Sequence, residues 1–582
     1  ERRSVNSLVT MTGEASCRLT DGLTLNFLAA GSFANADDSV WKTALASGED
    51  SSASVQARRS RTMQTTTTLS WQRQSGWHEV NAVAALETQR FVYRDIAGSA
   101  AGLYFPMQKY YNLMASRDNT SSSSYYMWAL MSYIGRINYS FKDRYLASVS
   151  IRQDGSSKFS KGRRFGLFPS AAIAWQVGKE KFLKDVSAID RLKLRASWGL
   201  TGSQAVSPYA TRPAYDDVTY SFATGTVLNG IRLSGQSDSG LSWETTEQVD
   251  LGMDMTLFQG RLDLEADWYM KNTRDLLLNK KIPGYLGGGS VVSNIGRMRN
   301  VGVDLTLSGR LVDKKNLSFN MALTFSWLKN IVRDLGDETV VYMNSGITGV
   351  SDGFYDCVYM VGHSLGSLWG LEYIGPWRKG EEKEAAGYGC VPGDARYVDI
   401  DGNGVIDGND YKIIGCGMPD CTMGLTAELV WKRLAFNVML EGVFGNDKID
   451  YNRCMFMMAA RDARAATFAE AVKRYIPGVQ EDAWLPAWSP TSQWKPASTL
   501  FLENAGYLRL KNIGVAYDLK IRSRAGFRIS ANATNLFTLT RYSGIDPESS
   551  NSGDGISDLI QGIDYGAYPN CRTFTIGLRV SY

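Results

Sequence analysis

The sequence predicts an all-β chain that forms the wall of a transmembrane antiparallel β-barrel, and three observations lead there. Runs of alternating apolar and polar residues recur from end to end. No uninterrupted apolar run approaches the roughly 18 residues of a spanning helix. Short turn signals alternate with long polar connections along the chain.

The alternation is clearest in the last ten residues, Thr573 to Tyr582, which read TFTIGLRVSY. Phe574, Ile576, Leu578, Val580 and Tyr582 are apolar or aromatic, and Thr, Thr, Gly, Arg and Ser fill the positions between. A period of two places successive side chains on opposite faces, so such a strand separates two different media. In the same way Val301, Val303, Leu305 and Leu307 oppose Gly302, Asp304 and Thr306. Phe319, Met321, Leu323, Phe325 and Trp327 oppose Asn320, Ala322, Thr324 and Ser326. These strands run to about ten residues or more, enough to cross a bilayer when tilted and longer than the usual five or six.

Composition fits that medium. The 582 residues are 44% hydrophobic and 21% charged, values that resemble a soluble protein because a barrel hides its lipid face in alternation. The 15 Trp, 29 Tyr and 22 Phe suit aromatic girdles at the two interfaces, and 57 Gly against 14 Pro suit many turns between uninterrupted strands. A net charge of +4, from 63 basic and 59 acidic residues, argues against a nucleic-acid surface.

Tight turns fall at Leu19 to Gly22, Arg73 to Gly76, Lys142 to Arg144, Phe258 to Gly260, Asp313 to Asn316, Lys432 to Arg433 and Lys520 to Gly526. Lys179 to Asp190 is a longer turn with room for one helical turn. The long connections are residues 34 to 61, 92 to 127, 202 to 241, 274 to 296, 331 to 419, 445 to 503 and 536 to 569. In outer-membrane barrels the short turns face the periplasm and the long loops face outside, so each connection is assigned a side. The count is about 17 strands. The first residues, ERRSVNSLVT, lack the apolar core of a signal peptide. With both ends inside, a single-chain barrel needs an even number of strands, and plugged transporters have about 22. The expectation is that residues 1–582 are a partial barrel, that about five strands precede Glu1, and that the last strand pairs with one of them.

Eight stretches resemble the SusC-like (RagA-like) branch of TonB-dependent outer-membrane transporters. They are QDGSSKF (153–159), FGLFPSAAIAW (165–175), LRASWGLTGSQ (194–204), LSWETTEQVDLGMD (241–254), NIGRMRNVGVDLTL (294–307), VGHSLGSLWG (361–370), YLRLKNIGVAYDL (507–519) and ATNLFTLTRYSGIDPE (533–548). They occur in the family's order, from about residue 130 onward. The resemblance implies a barrel of roughly 22 strands with an N-terminal plug and a TonB box, neither of which is in this chain. It also implies a SusD-like surface lipoprotein as lid and pairing of two transporter–lipoprotein units. The implied activity is active import of a large nutrient, an oligosaccharide or oligopeptide, across the outer membrane of a Gram-negative bacterium, powered through TonB, with no cofactor required. The alternatives are a siderophore or cofactor receptor, or a passive channel, without a lipoprotein lid. A third class is a surface enzyme or adhesin.

One loop carries a metal signature. Asp399, Asp401, Asn403, Val405 (through its carbonyl), Asp407 and Asp410 occupy positions 1, 3, 5, 7, 9 and 12 of an EF-hand-type loop, with Gly404 at position 6. Calcium needs six or more oxygens, which makes this a candidate calcium loop. Asp at position 12 is shorter than the usual Glu, and no helices are evident on either side. The competing reading is a loop ordered by Asx turns through its own backbone.

Catalysis is hard to assemble. The two histidines, His78 and His363, lie by a strand start and in a loop, and His363 beside Ser364 is adjacency without a positioned triad. Asp263, Glu265 and Asp267 share one strand face, as a solvated barrel wall would. Gly284 to Gly289 lacks the Lys and the strand–loop–helix context of a phosphate loop and reads as a surface loop. Seven Cys leave at least one thiol unpaired, and Cys416 and Cys421 either bridge across a loop or are two free thiols. Candidate solute or lipoprotein contacts are the loop aromatics Tyr104, Tyr110, Tyr111, Trp377, Trp484, Trp488 and Trp494, whose flat faces stack on sugar C–H surfaces and peptide side chains alike. Tyr125, Tyr126 and Trp128 border a strand, where they suit the outer girdle.

Overall fold

The computed structural model describes all residues except 48–49, 184–185, 224–225, 283–289, 346–354, 458–466, 489–493, 522–524, 550–559 and 582. The long strands are β1 (Arg2–Thr20), β2 (Leu23–Lys42), β3 (Ser52–Ser75), β4 (His78–Leu103), β5 (Ser116–Phe141), β6 (Tyr145–Ser156), β7 (Phe165–Trp175) and β8 (Ile189–Ser203). They continue as β9 (Glu244–Leu257), β10 (Leu262–Arg274), β11 (Arg297–Lys314), β12 (Leu317–Asp334), β13 (Cys421–Trp431) and β14 (Leu434–Phe444). The last are β15 (Tyr507–Ile521), β16 (Ala525–Thr534) and β17 (Thr573–Ser581). The count of seventeen agrees with the expected one. An eighteenth segment in the large sheet, Thr538–Thr540, pairs with Tyr507–Arg509 and prolongs β16 past a kink at Asn535, whose φ is 52°.

The chain divides into two compact units. The first comprises residues 1–176, 195–249 and 273–296, and the second residues 177–194, 250–272 and 297–582. Strands β8, β9 and β10 contribute residues to both. Within the first unit β1 to β7 form an uninterrupted antiparallel meander, each strand bonded to the next. In the second, β11 to β17 do the same. The tight turns from Leu19 to Arg433 are present, whereas the expected turn at Lys520 to Gly526 includes residues 522–524, which lie outside the described residues. Lys142 and Asp143 both take positive φ (53° and 51°), the type I′ geometry whose twist matches flanking strands. A 3₁₀ turn at Val177–Lys179 leads into the longer turn and ends at the expected start of that turn.

Two expectations need correction. The strands β3, β4 and β5 are 24, 26 and 26 residues long, so the connections placed at 34–61 and 92–127 shrink to residues 43–51 and 104–115. Polar runs such as Ser121 to Ser124 continue the ladder, because a strand outside lipid still gains from paired backbone groups and hydroxyl side chains suit it. The connections at 202–241 and 274–296 are also not plain loops, since each holds a hairpin, Ala214–Ala223 with Thr226–Gly235 and Leu277–Lys281 with Ser290–Asn294. The stretch Gly284 to Gly289 lies outside the described residues.

Side chains sort by face as the period of two requires. Along β3 and β4 the exposed residues Arg59, Arg61, Met63, Leu69, Leu86, Arg90, Arg94 and Ile96 share one face, and Gln56, Arg58, Ser60, Thr62, Gln64 and Thr66 share the other. On β17, Phe574, Ile576, Leu578 and Val580 are exposed. Every residue of β1, and all but Gly577 of β17, is exposed. Gly302 is needed where it stands, since a Cβ there would lie 2.3 Å from the Tyr269 hydroxyl.

The largest buried cluster lies in the connections of the second unit. Cys357, Leu368, Leu371, Tyr373, Tyr397 and Tyr411 come from 335–420, Ile449, Tyr451, Cys454, Leu485, Trp494 and Phe501 from 445–506, and Ile563 from 541–572. Three segments far apart in sequence thus share one core. Short ladders bind them, including a parallel pairing of Ile449 and Asp450 with Ile563 and Asp564.

Candidate solute-binding loops and inner wall

In the first unit, Tyr104, Tyr110 and Tyr111 flank a 3₁₀ turn at Pro106–Gln108. Tyr110 is buried on Ala53, Ala100 and Leu103, whereas Tyr104 and Tyr111 are 65% and 73% exposed. The polar face of β5 to β9 lines a cavity of about 640 Å³ with Arg136, Arg152, Ser150, Ser170 and Gln248. Arg152 donates to both oxygens of Asp154 at 2.8 Å, and Ser150 and Ser170 are 2.6 Å apart.

In the second unit, two of the four candidate tryptophans are core side chains. Trp377 is buried between Tyr388 (5.6 Å) and the Arg396 guanidinium (4.3 Å from the ring centre), and Trp494 is buried against Phe501. Their faces, like that of Tyr110, are covered by protein, which leaves Tyr104, Tyr111, Trp484 and Trp488 as the accessible aromatics of the seven. Trp484 meets Tyr373 edge-on at 5.2 Å, and the Arg474 guanidinium lies 5.4 Å from the Trp488 ring centre. A cavity of about 670 Å³ lies on the polar face of β10 to β15, lined by Asp263, Arg310, Asn320, Glu428, Asn437 and Asn512. Asn437 donates to Asn512 at 3.0 Å. Sequence reasoning passed over this asparagine row, although alternation alone places Asn320 opposite the apolar set of β12.

The acidic loop holds itself together. Asp399 accepts from the N–H of Gly402 (2.7 Å) and Gly404 (2.9 Å) and from the Tyr388 hydroxyl (3.0 Å). Those bonds, the Gly404 N–H first, hold its carboxyl below the usual range. Asp410, fully buried, accepts from Ile400 and Asp407 N–H, while Asp407 caps the 3₁₀ turn through Asn409. Asn403 accepts from Val405 N–H and donates to Asp401. The Asx-turn reading is therefore met bond for bond. The loop nevertheless brings one oxygen each of Asp399, Asp401 and Asp410 within 4.8 Å of one another, a donor set suited to a hard cation. Asp407 is not in that group.

Buried ions tie the last connection to the wall. Arg509, 3% exposed, pairs with Asp546 and Glu548 and donates to Thr538 at 2.8 Å. Burial would raise the Asp546 pKa, yet the Arg509 guanidinium keeps it below the usual range. Lys448, also buried, donates to the Pro547 carbonyl at 2.6 Å. Arg453 pairs with Glu470 and Glu503. Asp450, 3% exposed, is pushed up to about 6 by burial. The Arg509 contacts join two stretches singled out in the sequence, YLRLKNIGVAYDL and ATNLFTLTRYSGIDPE; the turn between them already implies that their strands pair, but not that Asp546 and Glu548 fold back onto Arg509.

Among the described residues no histidine is hydrogen-bonded to a serine or cysteine side chain. His78 shares a 2.8 Å hydrogen bond with the Tyr139 hydroxyl, and the Ser364 hydroxyl is directed to the Met418 sulfur at 3.5 Å. All seven cysteines are free thiols, so of the two readings for Cys416 and Cys421 the bridge is not formed.

Residues 6–415 match the family model described as TonB dependent receptor-like, beta-barrel. A TonB-dependent receptor of Formosa agariphila is 32% identical over 531 residues, covering 88% of this chain and 52% of the relative. The TonB-dependent receptor SusC of Bacteroides thetaiotaomicron is 30% identical over 474 residues, covering 78% and 44%. The chain spans about half the length of these curated relatives. A chain in the solved structure of the RagAB peptide transporter superposes with a TM-score of 0.83 at 22% identity, over 100% of this chain and 62% of that one, which speaks for the fold.

Proposed function

Since the chain belongs to the TonB-dependent receptor-like β-barrel family of outer-membrane proteins, we propose that it is the larger part of an active importer's wall, together with that importer's outer loops. The cargo is an oligosaccharide or oligopeptide too large for a simple pore, captured on the loop side with a SusD-like lipoprotein as lid. Entry is powered through TonB by a plug and TonB box carried elsewhere in the intact protein. The strands that complete the barrel pair with the exposed edges β1 and β17. No residue of this chain is assigned to energy coupling.

The observation that supports this reading best is the folded loop core of the second unit. Three connections share buried residues from Cys357 to Ile563, while Trp484 and Trp488 remain open to solvent. A pore needs only short connections; a capture surface needs loops held in one geometry, so that ordering them is not repeated at each binding event. The polar walls suit passage of hydrated cargo. The acidic loop is proposed to take a calcium ion on Asp399, Asp401 and Asp410, with Asn403 and the Val405 carbonyl as neighbours able to add oxygens. The ion would there neutralise three carboxylates and brace the turn.

The test is extraction of the tagged full-length protein in mild detergent, with growth on candidate oligomers. A lipoprotein partner should co-purify, and growth on the cargo should stop when TonB is deleted. Growth that persists without TonB would make the barrel a passive channel.

A further inference from the structure

The two faces of β3 treat their arginines differently. Arg58, on the polar face, is ion-paired with Asp38. Arg59 and Arg61 point the other way, beside Arg90 and Arg94 of β4. The register sets Arg59 directly opposite Arg94 and Arg90 opposite Met63, one step from Arg61. All four are exposed, and among the described residues none pairs with a carboxylate. Arg94 lies over the Tyr125 ring at 5.3 Å, and Arg90 reaches the Met127 sulfur at 3.9 Å. Like charges directly across a ladder are destabilising, so four together on one face call for an anion.

Their height decides which anion. Trp71, exposed on the same face of β3, is ten residues from Arg61 toward the tight turn at Gly76. At about 3.3 Å per residue and a tilt near 40°, that is roughly 25 Å, the height of a barrel's apolar band. The arginines therefore stand at the outer boundary of the membrane, at phosphate depth. Below them the same face holds an apolar groove of about 520 Å³. Its floor is the small cross-strand pair Ala84 and Gly135, and Leu69 and Ile151 rise on either side. Leu86, at its upper end, is four residues from Arg90, about 13 Å along the strand.

We propose that the outward face of β3 to β5 binds a phosphorylated, acylated glycolipid of the outer leaflet, with Arg59, Arg61, Arg90 and Arg94 clamping the phosphate and the groove receiving an acyl chain. Arg is the residue for this task because its fork meets phosphate oxygens two at a time. The Tyr125 and Met127 contacts hold two of the forks in place before the lipid arrives. The inference is independent of cargo and requires only that the barrel stand in the outer membrane.

The test uses the full-length protein in detergent micelles and in nanodiscs, with monophosphorylated lipid A, its dephosphorylated counterpart, phosphatidylglycerol and inorganic phosphate as probes. Wild type should retain monophosphorylated lipid A in native mass spectrometry. The variant R59Q/R61Q/R90Q/R94Q should bind it at least about tenfold more weakly, the loss expected for one or more charge-assisted contacts. Gly135→Leu, which fills the groove without touching charge, should weaken it as well. In micelles free of anionic lipid the arginine variant should melt no lower than wild type, because repulsion is removed, and added lipid A should raise only the wild-type midpoint. Equal binding of the dephosphorylated lipid, or undiminished binding by both variants, would overturn the proposal. Binding of phosphatidylglycerol as tight as that of lipid A would overturn the glycolipid assignment, and full competition by millimolar inorganic phosphate would overturn the role of the groove.

Discussion

Arg509→Met should release the last connection from the wall while leaving the barrel folded. Arg509 and Asp546 are both nearly fully buried, at 3% and 5% side-chain exposure, and Glu548 completes the cluster at 31%. Methionine keeps most of the volume, so the loss is electrostatic: the Asp546 carboxylate would stay buried without its cation. Breaking one side of a buried pair costs about 3–5 kcal/mol. Asp546 keeps two backbone donors, Glu548 N–H at 3.0 Å and Asn570 N–H at 2.9 Å, which favours the lower end. About 3 kcal/mol corresponds to more than a hundredfold in a local opening equilibrium. Hydrogen exchange of the Glu548, Ser549 and Asn570 amides should therefore quicken by that factor, with β11 to β14 unchanged. Adding Asp546→Asn should recover part of the loss, since the stranded charge is then gone. Lys511→Met, which removes a partly exposed partner of Glu548 at 2.7 Å, should cost under about 1 kcal/mol. Exchange in Arg509→Met within about threefold of wild type would refute the claim that this cluster fastens the loop.

Asp450, raised to about 6 by burial against an ordinary value of 3.8, should make the loop core more stable as pH falls from about 7 toward 4, because the folded form takes up its proton first. The shift amounts to some 2–3 kcal/mol, and Asp450→Asn should flatten that slope in hydrogen exchange of residues 447–457. If the acidic loop takes calcium, millimolar Ca²⁺ should slow proteolysis within residues 399–410, and Asp410→Asn should abolish the effect; no calcium dependence in the full-length protein would remove the site. Trp488→Ala should weaken oligosaccharide or oligopeptide binding about tenfold, read by fluorescence titration, without altering protection of the buried core. Trp377→Ala should instead loosen the loop, since Trp377 is buried and carries Arg396 on its face.

The wall was legible and the loops were not, for one physical reason. In a strand between lipid and water each residue answers to a medium, so Phe319 to Trp327 reveals its faces without reference to any partner. The strands overran their expected ends where both faces meet water, because alternation fades there while the ladder of β3, β4 and β5 continues. The loop core obeys long-range contacts. Trp377 and Trp494 are candidate solute contacts in the sequence because they fall in long polar connections, but Trp377 is covered by Tyr388 and Arg396 of its own connection, and Trp494 by Phe501 and the core that three connections share. The acidic loop lies between these cases. Its spacing was visible, and so were both readings of it, because an Asx-turn scaffold and a cation cage use the same carboxylates. Asp399 can hold the Gly404 N–H with one oxygen and still present a lone pair to an ion. The bonds that order the loop are therefore no argument against a cation, and the calcium titration separates the two readings by asking whether those carboxylates have charge left to neutralise.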